Sequence, residues 1–179
     1  MENFTIAYLL DNDNNILEVG GPWDEFANEN GGENTTTEAV LGQTIWKFIE
    51  GDITRLWLKS AFQHARLKAN PIERPYRCDS PDIKRFMLMR ITPRTDGALR
   101  IEHTLIREEK REKPVHIKTG NADSIYKVRA RCSFCGRVKD NELWEEPRSE
   151  HARASSEIIV MYSICEDCQL TLPGSSMPE

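Results

Sequence analysis

Two pairs of cysteines constrain this chain more than any other feature. Cys132-Ser-Phe-Cys135 and Cys165-Glu-Asp-Cys168 are C-x-x-C pairs separated by 29 residues. Two residues between cysteines allow a tight turn to aim both thiolates at one point. Gly136, directly after the first pair, suits the left-handed backbone such a turn often needs. Together the pairs offer four soft ligands, the set of a closed tetrahedral zinc site. The long spacer is tolerable because loop-closure entropy grows slowly with length. A redox dithiol is the competing reading. A site filled by four cysteines leaves no position for water, so the expected role is structural. It would supply folding energy to a segment too short to rely on its own core. His151, in the spacer, is then surplus as a ligand and is expected to be exposed.

The 179 residues suit one ordinary domain and a smaller one. No run approaches eighteen apolar residues, so no membrane span is expected. The start, MENFTIAYLLDND, lacks the features of a signal peptide, which points to the cytoplasm and to reduced thiols. The net charge is -5, which gives no overall attraction to nucleic acid. Residues 125–172 hold seven bases and eight acids, so the cysteine segment lacks a basic footprint as well. Charge is uneven elsewhere: residues 1–50 carry ten acids and one base, whereas residues 51–124 carry sixteen bases and ten acids. That pattern fits either mutual attraction between the two parts or a basic docking patch for a partner.

Before the cysteines, the pattern predicts an α+β unit. FTIAYLL (4–10) and ILEVGG (16–21) read as a hairpin around the turn residues DNDNN. Pro22 opens a short helix over 22–30, with Trp23, Phe26 and Ala27 on one side. EAVLGQTIWKFI (38–49) reads as a short helix, a glycine break and a further helical turn. A long helix is expected from Asp52 to Ala69, with Ile53, Leu56, Trp57, Ala61 and Ala65 as its apolar stripe. Strands follow over Glu73–Cys78, Lys84–Arg94 and Ala98–Arg107, the last two joined at Asp96-Gly97. In the final strand Leu99, Ile101, His103 and Leu105 alternate with polar residues, as in an antiparallel sheet with one wet face.

This order of elements, with YLLDNDNNILEVGGPWDEFANENG and VLGQTIWKFI, resembles the PAS sensory fold over about residues 3–107. The resemblance implies a five-stranded antiparallel sheet with helices on one face, a small-molecule or protein-binding role and a homodimer. CSFCGRVKD, Trp144 and YSICEDC resemble a cysteine cluster at the ends of many bacterial sensor proteins, over about residues 129–169. The match departs at Tyr162-Ser163, where that pattern has His-Gly, so no role of that histidine carries over. The expected organisation is a PAS-like domain (1–107), a charged linker (108–124), a zinc-ribbon-like module (125–172) and a flexible tail (173–179). The resemblance supports a bacterial signalling adaptor with no catalytic output, acting through a signalling partner.

Candidate pocket residues are Trp57, His64, Tyr76, Cys78, Met87, Met89 and His103. Trp23, Trp46 and Phe48 are further interior candidates, and core packing alone is the plainer account of all these residues. Within Arg77-Cys78-Asp79-Ser80-Pro81, Cys78 is either a thiol sensor activated by Arg77 or Arg85, or a small apolar residue. His64 lies near the apolar stripe of the long helix, where some PAS haem sensors, by resemblance, place an iron ligand; a packed or surface histidine is the plainer account. His103, on an apolar strand face, reads as a hydrogen-bonded core histidine.

Overall fold

The computed structural model describes residues 4–120, 128–151 and 157–169. Ten strands and four helices run through these residues. The first half contains β1 (Thr5–Leu10), β2 (Ile16–Gly20), α1 (Trp23–Glu29), α2 (Thr37–Val40), α3 (Asp52–Lys68), β3 (Ile72–Arg77), β4 (Ile83–Pro93) and β5 (Leu99–Lys110). Single 3-10 turns cover Glu33–Thr35 and Ile45–Lys47. The strands form one antiparallel sheet in the order β2-β1-β5-β4-β3. This is the five-stranded antiparallel sheet that the sequence predicts.

Local chemistry explains the turns. The Asp11 carboxylate accepts N–H bonds from Asp13 and Asn15 at 2.9 and 2.7 Å, which closes the β1–β2 hairpin. Arg66, near the end of α3, donates to the Asp11 and Gly97 carbonyls and to Asn14 Oδ1. One side chain thus pins two hairpin turns to the helix.

Alternation puts Leu99, Ile101, Leu105, Met87, Met89 and Ile91 inside. Leu99, Ile101, Met89 and Ile91 meet Trp57, Leu58, Ala61, Phe62 and Ala65 of α3 in one core with Leu10, Ile16, Val40 and Ile45. Trp57, Ala61 and Ala65 of the predicted stripe are buried, but Ile53 and Leu56 are 45% and 62% exposed, and Leu58 and Phe62 widen the inner face instead. Both faces satisfy helical spacing, and the bulk of Phe62 against the sheet decides between them.

The second half contains β6 (His116–Thr119), β7 (Arg129–Cys132), β8 (Val138–Asp140), β9 (Leu143–Glu145), β10 (Glu157–Ser163) and α4 (Glu166–Gln169). Its sheet has the order β6-β10-β7-β8-β9, with β10 parallel to both β6 and β7. The segment 108–124, expected as a linker, instead carries structure in its described part. β5 runs on to Lys110, and β6 pairs with β10. Arg111 and Val115 donate their N–H groups to the Asp82 and Pro81 carbonyls at 2.7 and 2.9 Å, and Val115 is buried. Charge alone suggested a solvated segment, but backbone pairing does not depend on side-chain polarity. Residues 121–124 of the expected linker and the expected tail at 173–179 lie outside the described residues.

The two halves share one core, because Cys132, Phe134, Ile164 and Cys165 belong to the same cluster as Trp57 and Ile91. Gly51 marks a close approach: its φ is +82°, and an added Cβ would lie 2.7 Å from Cβ of Tyr162. No helix among the described residues is long and apolar enough to cross a membrane. Because Phe62 is fully buried at the centre of this core, Phe62→Ala is expected to lower unfolding stability by about 3–5 kcal/mol in urea titration. A loss below about 1 kcal/mol would contradict the helix setting described here.

Candidate metal centre

Parallel pairing of β7 with β10 brings the two C-x-x-C pairs together. The register places Ser163 beside Cys132, so both strands deliver their cysteines at the same sheet end. Cys132 closes β7, and Cys135 follows in the turn. Cys165 precedes α4, and Cys168 lies within it. All four Sγ atoms lie within 4.8 Å of one another, a spacing that can hold a metal ion. Cys135 Sγ and Cys165 Sγ are 3.7 Å apart.

The turn is held by its own backbone. Gly136 N–H donates to the Cys132 carbonyl at 3.1 Å, and Gly136 has a φ of +73°. An added Cβ there would meet Cβ of Arg77 at 3.3 Å, so this glycine serves both the turn and its docking. Ser133 N–H donates to the Ser163 carbonyl at 2.9 Å, which ties the first knuckle to β10. Cys165 N–H points at Cys132 Sγ at 3.4 Å.

The electrostatics follow from crowding. A hydrogen bond from the Cys135 thiol holds the Cys132 thiol well below its ordinary pKa against burial, helped by backbone N–H groups of Cys165, Cys135 and Phe134. The same sulfur–sulfur bond pushes Cys135 up. Burial, with the charge of Cys132, raises Cys168 to about 12. Thiolates this close repel one another, and a cation would relieve that repulsion.

No protein-family model matches this chain, and no characterised protein matches it in sequence. Among solved structures it is similar to a domain of an HTR-like protein from Haloarcula marismortui ATCC 43049. That match has a TM-score of 0.42 and 14% identity, and it covers 57% of this chain and 98% of the other.

The first knuckle docks on the first sheet through Phe134. Its ring meets Trp57 edge-on, with centroids 4.8 Å apart, and the Arg74 guanidinium lies 4.0 Å above it. Its carbonyl accepts Arg77 N–H at 2.7 Å. Thr54 and Ser133 share a hydroxyl hydrogen bond of 2.6 Å, and Arg74 donates to the Cys168 carbonyl at 2.9 Å.

A buried ion cluster reinforces the junction. The Asp79 side chain is 3% exposed and takes a two-pronged bond from Arg77 at 2.8 and 2.7 Å. Arg111 donates to it at 2.7 Å, and Arg131 of β7 lies 3.6 Å away. Arg77 also reaches Glu146 at 3.0 Å. Many of the bases in residues 51–124 are thus paired within the fold, as Arg85 with Glu108 and Arg90 with Glu73 also show.

A cavity of about 580 Å³ lies beside the metal centre. Of the predicted pocket residues, Tyr76, Met89 and His103 line it, and Trp57, His64, Cys78 and Met87 do not. Trp57 and Met87 are core residues, and His64 is half-buried on α3 away from the cavity. Tyr76 OH and His103 Nδ1 lie 2.8 Å apart, and the Tyr8 ring stacks on His103 at 5.6 Å. Burial pushes His103 down to about 4. Cys78 is half-buried, and burial raises its thiol, which opposes thiolate formation.

His151, expected to be exposed, is buried. Its Nδ1 accepts Arg148 N–H at 3.0 Å, and its Nε2 lies 3.9 Å from carboxylates of Asp140 and Glu145. Hydrogen bonding, which composition cannot foresee, places it inside. The sequence reading also missed Phe134, Asp79, Arg111 and Arg131. The one available signal was Phe134, an aromatic in a two-residue turn that leaves water only by docking.

Asp79→Ala should cost about 3–5 kcal/mol in urea unfolding, because it strands buried arginine charge. A cost within experimental error would remove the ion cluster from the account of the junction. His103 is neutral when folded and binds a proton more readily when unfolded. Its stabilising effect is therefore full above about pH 6.5 and is lost as pH falls towards about 4. Stability measured across that window should fall more steeply in the parent protein than in His103→Gln, and parallel slopes would refute the assignment.

Proposed function

We propose that the chain is a cytoplasmic sensory adaptor that catalyses no reaction and signals through another protein. In this reading the first sheet and its helices form a PAS-like sensor for a small molecule or protein. The four cysteines hold a structural zinc ion, and a homodimer or signalling partner carries the output. The observation that carries the reading is the convergence of four cysteine sulfurs on a knuckle docked against the cavity-bearing half.

Zinc is supported by distance and ligand type. Bonds of about 2.3 Å to a tetrahedral ion give sulfur–sulfur edges of about 3.8 Å. The Cys135–Cys165 separation of 3.7 Å is close to that edge. Thiolates suit zinc, and a closed shell of four leaves no site for substrate or water. An iron–sulfur cluster would need its cysteines spread around an inorganic core, whereas all four sulfurs lie within 4.8 Å. A redox dithiol needs an accessible low-pKa thiolate, but Cys132 and Cys165 are 1% and 0% exposed. The haem reading loses support because His64 does not line the cavity. Nucleic-acid binding gains none from the balanced charge of residues 125–172.

Native mass spectrometry and elemental analysis of the protein purified without added metal test the reading. One zinc per chain is expected, with loss of zinc in Cys132→Ser and Cys165→Ser. Intramolecular disulfides without metal would overturn the zinc assignment and bring the redox reading forward. Iron in place of zinc would also refute it.

A further inference from the structure

The cavity is not walled by the first sheet and its helices alone. Ser133, Phe134 and Tyr162, from the first knuckle and β10, also line it. The same lining includes Tyr8, Met89 and His103 of the first sheet, with Trp23 and Ala27 of α1. Asn30 and Glu50, both exposed, lie at its rim. At about 580 Å³ it falls within the usual range of small-molecule sites.

The lining selects by charge. Its two charged members are Arg77 and Glu50. Arg77 is engaged by Asp79 and Glu146, and Glu50 accepts the Thr119 hydroxyl at 2.6 Å. Because Arg77 is paired and Glu50 sits at the exposed rim, an anion or a cation moving deeper would be desolvated without a counter-charge beside it, which is costly. Aromatic and aliphatic groups form most of the rest, with Tyr76 OH and His103 as a neutral hydrogen-bonding pair. Such a surface fits a neutral, mainly apolar molecule with one hydrogen-bonding group.

The wall residues are also metal-turn residues. Ser133 and Phe134 are the two residues between Cys132 and Cys135. Gathering both flanking sulfurs on one ion would constrain the positions of these two residues further.

We propose that this cavity binds a neutral, largely apolar small molecule, and that the metal knuckle supplies one wall, so that metal occupancy and ligand affinity rise together. The coupling rests on the metal centre proposed above. By linkage it is reciprocal: a ligand that needs the ordered knuckle must also tighten the hold on the metal.

The test uses the full chain with N-phenyl-1-naphthylamine, a neutral aromatic amine, as the fluorescent probe, after metal content has been measured. Saturable one-to-one binding is expected, and it should weaken at least tenfold when the metal is removed by chelation. Phe134→Ala should weaken it at least threefold with metal content unchanged. Met89→Trp should abolish it by filling the cavity, and Ala27→Phe serves the same purpose if Met89→Trp does not fold. Saturating probe should slow zinc transfer to the chelator 4-(2-pyridylazo)resorcinol at least threefold. The anionic probe 1-anilinonaphthalene-8-sulfonate should bind at least tenfold more weakly, and equal binding would overturn the neutral class. The proposal is overturned by absence of saturable binding, or by binding that ignores both cavity-filling variants. One metal per chain with probe affinity unchanged by chelation would overturn the coupling alone. A chain that holds no metal would overturn the metal centre and the coupling together.

Discussion

Four thiols gathered within 4.8 Å set the central constraint on this molecule. As neutral thiols they make weak hydrogen bonds, and as thiolates they repel one another strongly in a buried setting. The crowding holds the Cys132 thiol down and pushes those of Cys135 and Cys168 up. A cation removes the conflict and converts repulsion into four bonds. The parallel β7–β10 pair brings the sulfurs together, because its sheet end is where they meet. Phe134, between Cys132 and Cys135, ties the same turn to Trp57.

The ion cluster around Asp79 fixes a different property of the junction. Buried charges are poor sources of net stability, since desolvation offsets attraction. Geometry is what they specify well. Asp79 gathers Arg77 and Arg111 from the first half and Arg131 from β7, so a shifted docking of the halves would leave charges unmatched. Apolar contact through Phe134 supplies attraction without a strong preference for register. The arginine–carboxylate forks add the direction that apolar packing lacks.

The first sheet was largely legible in the sequence, and the reason is alternation. Leu99, Ile101, His103 and Leu105 repeat at period two, and Asp96-Gly97 marks the turn before them. The four cysteines were legible because their spacing carries chemistry by itself. What escaped was long-range. Parallel pairing of β10 leaves no local mark, since either neighbour could be antiparallel from pattern alone. The exposure of Leu56 escaped because Leu56 and Leu58 both flank Trp57 on nearly opposite sides of α3, and the sheet decides which of them is buried. Segment 108–124 read as linker because its charges were visible, while the bonds from Arg111 and Val115 to the Asp82 and Pro81 carbonyls were not.

His103 and Tyr76 show how one pair serves both core and cavity. A histidine facing water would exchange protons near neutral pH, and its charge would vary with conditions. Burial keeps this one neutral, so the pair presents a fixed hydrogen-bonding pattern to the cavity. That pattern stays the same over the ordinary pH range. Ser133 and Phe134, between two of the clustered cysteines, line the same cavity. One part of the lining is thus set by the first sheet's core and another by the cysteine turn that Phe134 docks against Trp57.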